Sequence, residues 1–213
     1  MSRVHEQEQA DPEDLEFFRL YGPWEPTTPE RATSLLEGFD ADWWVVGGWA
    51  LEAFTGLARA HEDIDVGFFR RDLPALRRHF AGRYDLWSNG GGVLRPITDR
   101  WPDLQPDSEQ VWLREHAMAP WCMDLLANPD VQGRWVFRRD RAITADLNSV
   151  TWLKDGVRFS SPEVVLAFKA LHDRPKDRAD LDAALPLMET GQRNWLRDTV
   201  ARLYPGHRWL DRI

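Results

Sequence analysis

The sequence predicts an α+β fold, with a β-rich part over residues 1–160 and a helical region over residues 161–213. Three observations predict it. Short apolar runs rich in β-branched and aromatic residues, bounded by Gly and Asp, recur as far as Phe159. Among them, Trp43–Val46 passes through Gly47-Gly48 into a helix-like run and returns at Asp63-Ile64-Asp65. From Ser161 onward, helical segments with Pro near their starts and short connections replace the strands.

With 213 residues, 43% of them hydrophobic, and 12 Trp, the chain can bury a sizeable core. Its 27 basic and 35 acidic residues leave a net charge of −8. That balance disfavours nonspecific binding to nucleic acid and suits a cationic small molecule. The acidic excess is concentrated early, at positions such as Glu6, Glu8, Asp11, Glu13 and Asp14, so residues 1–13 read as a disordered, solvated arm. A single cysteine, Cys122, excludes an intramolecular disulfide and a cysteine-based zinc site. No signal-peptide pattern and no apolar run of membrane-spanning length is visible, so a cytoplasmic protein is expected.

Taken in order, residues 14–21 predict a short helix, and Thr28-Pro29 caps and opens another that stops at Gly38. Trp43–Val46 is a buried strand, and Trp49–Phe54 a short helix ended by Gly56. After the Asp63 strand, Asp72 is expected to cap a helix from Leu73 to about Phe80. Tyr84–Trp87 and Val93–Ile97 form a hairpin through Asn89-Gly90-Gly91-Gly92, a turn in which no helix start follows the glycines. Residues 98–120, broken by Pro102 and Pro106, read as a loop near an acceptor, with a short helix over Ser108–His116. Trp121–Leu126, Trp135–Phe137 and Val157–Phe159 complete the strands. Helices are expected from Ser161-Pro162-Glu163, from Lys176-Asp177 to about Met188, and over Gln192–Leu203.

The chemistry is concentrated between Trp43 and Gly67. A helix N-terminus rising from Gly47-Gly48 offers free N–H groups to phosphate, and the missing Cβ atoms permit close approach. In a strand of period two, Asp63 and Asp65 share one face while Ile64 and Val66 enter the core. Two adjacent carboxylates repel each other, and a hard divalent cation such as Mg²⁺ relieves this while also taking substrate phosphate oxygens. A phosphate turn with a carboxylate pair points to nucleotide chemistry.

Gly47-Gly48-Trp49-Ala50, Gly56, Arg59, His61 and Asp63-Ile64-Asp65 resemble the DNA polymerase β-type nucleotidyltransferases. The resemblance is to the antibiotic-modifying branch, which includes aminoglycoside 2''-adenylyltransferases and lincosamide nucleotidyltransferases. It extends more loosely through Trp121–Leu126, Pro162–Lys169 and Pro205–Leu210. It implies a nucleotidyltransferase-fold mixed β-sheet with flanking helices, Mg²⁺-dependent transfer of an NMP, and a third carboxylate on a neighbouring strand. Asp63, Asp65 and Asp124 would then be the catalytic carboxylates, holding two Mg²⁺ ions, with ATP or another NTP as co-substrate.

Asp124 is a lone charge in an apolar strand and needs a partner, either a metal or one of Arg138, Arg139 and Arg141. Lys169 lies on a helix that is apolar on nearly every face, so its ammonium faces either the triphosphate or Asp173 at (i, i+4). The resemblance favours phosphate for Lys169. Arg59 and His61, with Arg138 and Arg139, are further phosphate or loop-ordering candidates. Trp101, Trp112 and Trp121, together with Asp103, Asp107, Glu109 and Glu115, are expected either to receive an amine-bearing acceptor or to belong to the core. The acceptor expected is a small hydroxylated cation such as an aminoglycoside-like antibiotic. Competing readings are a tRNA or protein acceptor, and a nucleotide-binding regulatory module without turnover.

Overall fold

A computed structural model describes residue 16 and residues 19–213. The expected arm over residues 1–13 lies outside them. Of the helix expected over 14–21, residues 16 and 19–21 are helical.

The chain is built on strands β1 (Trp43–Val45), β2 (Asp65–Phe69), β3 (Asp85–Gly90), β4 (Val93–Pro96), β5 (Gln110–Arg114), β6 (Met123–Asn128), β10 (Thr151–Lys154) and β11 (Val157–Ser160). These form one mixed sheet in the order β10-β11-β1-β2-β6-β5-β3-β4. β1 is antiparallel to β2 and parallel to β11, while β2 and β6 run parallel. Strands β7 (Asp130–Val131), β8 (Arg134–Val136) and β9 (Thr144–Ala145) make a small second sheet.

The helices are α1 (Pro29–Leu35), α2 (Gly47–Thr55), α3 (Leu73–Phe80), α4 (Pro162–Lys169), α5 (Pro175–Ala184) and α6 (Thr190–Leu203). Thr28 caps α1 by accepting from the Arg31 N–H, and Gly56 ends α2 in the left-handed conformation, both as the sequence predicts. α4 packs against α2, α5 and α6, and its Val164, Val165, Leu166 and Ala167 join Val45, Ile64 and Val66 in one hydrophobic core. α4 and α5 thus pack against α2, whose first residues are the Gly47-Gly48 turn. None of the helices among the described residues is long and apolar enough to cross a membrane.

Several expectations are corrected. The helix expected over 108–116 is strand β5, which pairs with both β3 and β6. As an interior strand it buries both faces, with Val111 and Leu113 on one and Trp112 on the other, so no polar alternation marks it. Asp72 makes no capping bond to α3, which the chain enters through a 3-10 turn over Arg70–Asp72. The helix expected to reach Met188 ends at Ala184 and tightens into a 3-10 turn over Leu185–Leu187, because Pro186 has no N–H to continue it. The hairpin forms as expected. Gly91 and Gly92 both have positive φ, +59° and +75°, as a two-residue turn of this type requires.

Candidate active site

The β1–α2 turn, the segment 59–65 and the start of the helical region enclose a cavity of about 630 Å³. Gly47, Gly48, Arg59, His61, Asp63, Asp65 and Lys169 all line it, as do Arg138 and Arg139. Asp124 is adjacent. In the parallel β2–β6 ladder it is the direct neighbour of Asp65, so topology places side by side two carboxylates 59 positions apart in sequence.

Both glycines at the turn are required by close approach. Gly47 has φ +62°, and a Cβ on it would overlap the Asp65 carboxylate. A Cβ on Gly48 would overlap the Arg59 guanidinium. No side chain caps α2, so the N–H groups of its first turn remain available to a ligand. Gly47→Ala is expected to lower stability by about 2 kcal/mol, from left-handed strain and the displaced carboxylate. A urea unfolding midpoint equal to that of the wild type would contradict this.

The carboxylates are electrostatically frustrated. Burial, aggravated by the charge of Asp63, pushes Asp65 up to about 7 against the pull of Lys169, Arg138 and Lys176. Burial also raises Asp124 well above the usual carboxylate range, with Asp65 and Asp63 adding repulsion. Asp63 is raised by burial and by Glu62. Asp124 Oδ2 accepts from Gln110 Nε2 at 2.7 Å, but Oδ1 is buried with no hydrogen-bond partner. The arginine alternative for Asp124 is not realised at Arg138, which pairs with Glu109 at 3.1 Å. Among the described residues no three potential ligands are already gathered for a metal.

Cations line the same cavity. Arg59, Arg138, Arg139, Lys169, Arg174 and Lys176 outnumber Glu62, Asp63 and Asp65 in the cavity wall, in a chain whose net charge is −8. The Lys169–Asp173 pair, the alternative to a phosphate role, does not form. Lys169 Nζ instead meets Asp177 Oδ1 at 3.0 Å and Asp180 Oδ2 at 2.9 Å on α5. Asp173 is taken up by Arg178, Arg208 and the Trp209 N–H. Arg174 and Lys176 were missed by the sequence reading, since nothing local marks the start of α5 as facing the turn of α2.

The tryptophans expected beside the acceptor divide. Trp112 and Trp121 are core, 7% and 1% exposed, and pack with Trp24, Trp112 edge-on and Trp121 tilted, while Arg114 lies over Trp87 and Trp121. Trp101 is exposed under Arg100. None of the three lines the cavity. The aromatic surfaces that do are Trp44, Trp49, Trp135 and Phe168.

A strand–glycine turn–helix facing paired carboxylates on a mixed sheet is the architecture of the nucleotidyltransferase fold, and known structures agree. ANT(2'')-Ia in complex with adenylyl-2''-tobramycin superposes with a TM-score of 0.51 at 14% identity, covering 81% of this chain and 95% of its own. The lincosamide antibiotic adenylyltransferase LnuA, lincomycin-bound, superposes at 0.52 with 16% identity, covering 77% and 100%. The family model of aminoglycoside-2''-adenylyltransferase matches residues 30–83, the segment from α1 through Asp63 and Asp65 to the end of α3. No curated protein matches the chain in sequence. The resemblance seen in the motif is therefore matched by a family model and by the fold.

Proposed function

We propose that the protein is a nucleotidyltransferase that moves an NMP, with ATP the expected donor, to a hydroxyl of a small molecule of the aminoglycoside-like antibiotic class. The observation that carries the reading is the pairing of Asp65 with Asp124 in the β2–β6 ladder, at a cavity that Asp63, Asp65 and several cations line together. The donor set fits a hard divalent ion. Asp124 Oδ1 is a buried oxygen without a partner, and both Asp65 and Asp124 are held in a state that a cation would relieve. Asp63, Asp65 and Asp124 would hold Mg²⁺, which when bound supplies neutralisation of the charge that develops on the phosphate oxygens.

The chain's own groups then do the following. The first N–H groups of α2, with Arg59, Lys169, Arg174 and Lys176, bind and orient the triphosphate. The acceptor oxygen forms its bond to the α-phosphorus as the bond to pyrophosphate breaks, and Asp124 accepts the hydroxyl proton. α4 and the start of α5 form one wall of the cavity. The overall acidic charge favours a cationic acceptor entering from solvent.

The test is incubation with labelled NTP and a panel of amino-sugars and lincosamides, followed by mass spectrometry. A small-molecule NMP adduct with release of pyrophosphate is expected. Label recovered on RNA or protein, with none on the panel, would transfer the activity to a macromolecular acceptor. Metal-dependent NTP binding without any product would leave a regulatory module.

A further inference from the structure

The two aspartates of Asp63-Ile64-Asp65 are anchored by different means. Asp65 is the first residue of β2, locked between β1 and β6: Val46 N–H donates to its carbonyl, and Asp124 N–H donates to that of Ile64, both at 3.0 Å. Asp63 precedes the strand, at the end of a segment that leaves α2 at Gly56 and is exposed over residues 56–60. Its backbone carbonyl is instead held by the Trp49 indole, whose Nε1 donates to it at 3.1 Å. The Trp49 ring is stacked on His61, centroids 3.9 Å apart and planes within 13°. His61 Nε2 bonds Glu52 Oε2 at 2.8 Å, and the same Glu52 oxygen accepts from the Arg59 N–H at 3.0 Å. Trp49 and Glu52 lie three positions apart on α2, on one face of the helix.

We infer that Trp49 and Glu52 are positioning residues that latch the 57–63 segment onto α2 and so set Asp63 beside Asp65 and Asp124. The inference rests on the proposed transferase reading for its effect on metal and rate, but the latch itself is a property of the free protein. A carboxylate on an exposed segment must surrender backbone freedom to act as a ligand, at a cost of about 1–2 kcal/mol per residue. Two side chains of a helix that is itself packed in the core have already ordered it. Such supporting contacts weigh on metal affinity about 10- to 100-fold when removed. Trp49 acts through the Asp63 carbonyl, and Glu52 acts through His61 and the Arg59 N–H of the same segment.

The test compares Glu52→Ala, Glu52→Gln and Trp49→Phe with the wild type. Trp49→Phe keeps the stacked ring and removes the donor to Asp63, so it isolates that bond without emptying the core. Amide hydrogen exchange is read over 57–63 and over 65–69, and Mn²⁺ affinity is measured by calorimetry with a non-hydrolysable NTP analogue. For Glu52→Ala and Trp49→Phe, exchange over 57–63 is expected to rise about tenfold while 65–69 is unchanged, and Mn²⁺ affinity to fall about tenfold. Turnover is expected to fall with KM for NTP little changed, and Glu52→Gln, which keeps one acceptor oxygen, to recover most of both losses. Unchanged exchange over 57–63 in both Glu52→Ala and Trp49→Phe overturns the latch. So does faster exchange with Mn²⁺ affinity and rate at the wild-type level. A wild type that neither binds Mn²⁺ nor transfers NMP defeats the transferase reading instead, while the exchange measurement still decides the latch.

Discussion

Asp65→Asn is expected to reduce NMP transfer by about three orders of magnitude, equivalent to about 4 kcal/mol of transition-state stabilisation, while raising the melting temperature of the metal-free protein at pH 8. The two effects have one origin. In the folded chain Asp65 titrates near 7, pushed up by burial and by Asp63, and its ladder neighbour Asp124 is raised well above the usual range. A carboxyl whose pKa is higher folded than unfolded stabilises the fold in its protonated form. That contribution is fully present below the unfolded value of about 4 and is lost as pH rises through the folded value near 7. The metal-free wild type is therefore expected to lose several degrees of melting temperature between pH 5 and pH 8, and the loss should be reversed by Mg²⁺ or Mn²⁺. Asn is nearly isosteric and uncharged, so Asp65→Asn should flatten the pH dependence and abolish the metal response together. Differential scanning calorimetry across pH, with and without Mg²⁺, decides it. A lower melting temperature for Asp65→Asn at pH 8, or transfer near the wild-type rate, would remove Asp65 from the metal-binding role.

Lys169→Met is expected to destabilise the fold by about 3 kcal/mol at neutral pH, because it strips the shared cation from two carboxylates that are nearly inaccessible. The side chain of Asp177 is 0% exposed and that of Asp180 10%. Burial works to raise Asp177, yet hydrogen bonds from Arg174 and Lys169 prevail and hold it at about 2. A depressed carboxylate stabilises the fold above its unfolded pKa and ceases to do so as pH falls through the folded one. The deficit of Lys169→Met should accordingly shrink as pH is lowered from about 4 towards 2. Adding Asp180→Asn should recover part of the loss at pH 7. For a chain of this size the single substitution is expected to lower the melting temperature by about 6–12 °C. A second readout separates the phosphate role, since loss of a triphosphate contact weakens NTP binding much more than NMP binding. Equal losses for both ligands would make Lys169 a structural cation of the α4–α5 junction. An unchanged melting temperature would show that the buried acids are satisfied by Arg174 and Arg59 alone.

The segment 43–67 was legible because its constraints are local. Period two predicts Asp63 and Asp65 on one face of a strand, but β2 begins only at Asp65 and Asp63 precedes it. Ile64 and Val66 are fully buried as expected, and Gly47 stands where the backbone has positive φ. Gly91 and Gly92 identified the hairpin for the same conformational reason. β5 was not legible. A strand covered on both faces shows no alternation, and Pro102 and Pro106 upstream made the whole stretch resemble a loop. The acceptor role considered for Trp112 fails with it, because an interior strand carries its aromatics into the core, and Trp121, just before β6, is buried against Trp24 and Trp112. The Asp173 alternative for Lys169 fails because (i, i+4) spacing governs only a continuing helix. The chain turns after α4, bringing Asp177 and Asp180 of α5 to the ammonium instead.

From its residues the chain determined the phosphate-accepting turn, the two carboxylates beside it, the α+β character and the need of Asp124 for a partner. Each follows from backbone stereochemistry or from the cost of burying charge, both of which act at short range along the chain. Tertiary structure decided which carboxylate is the neighbour of Asp124, which cations face the cavity and what holds Asp63 in place. Strand order and helix docking bring together residues far apart in sequence, and no periodicity or spacing records that choice.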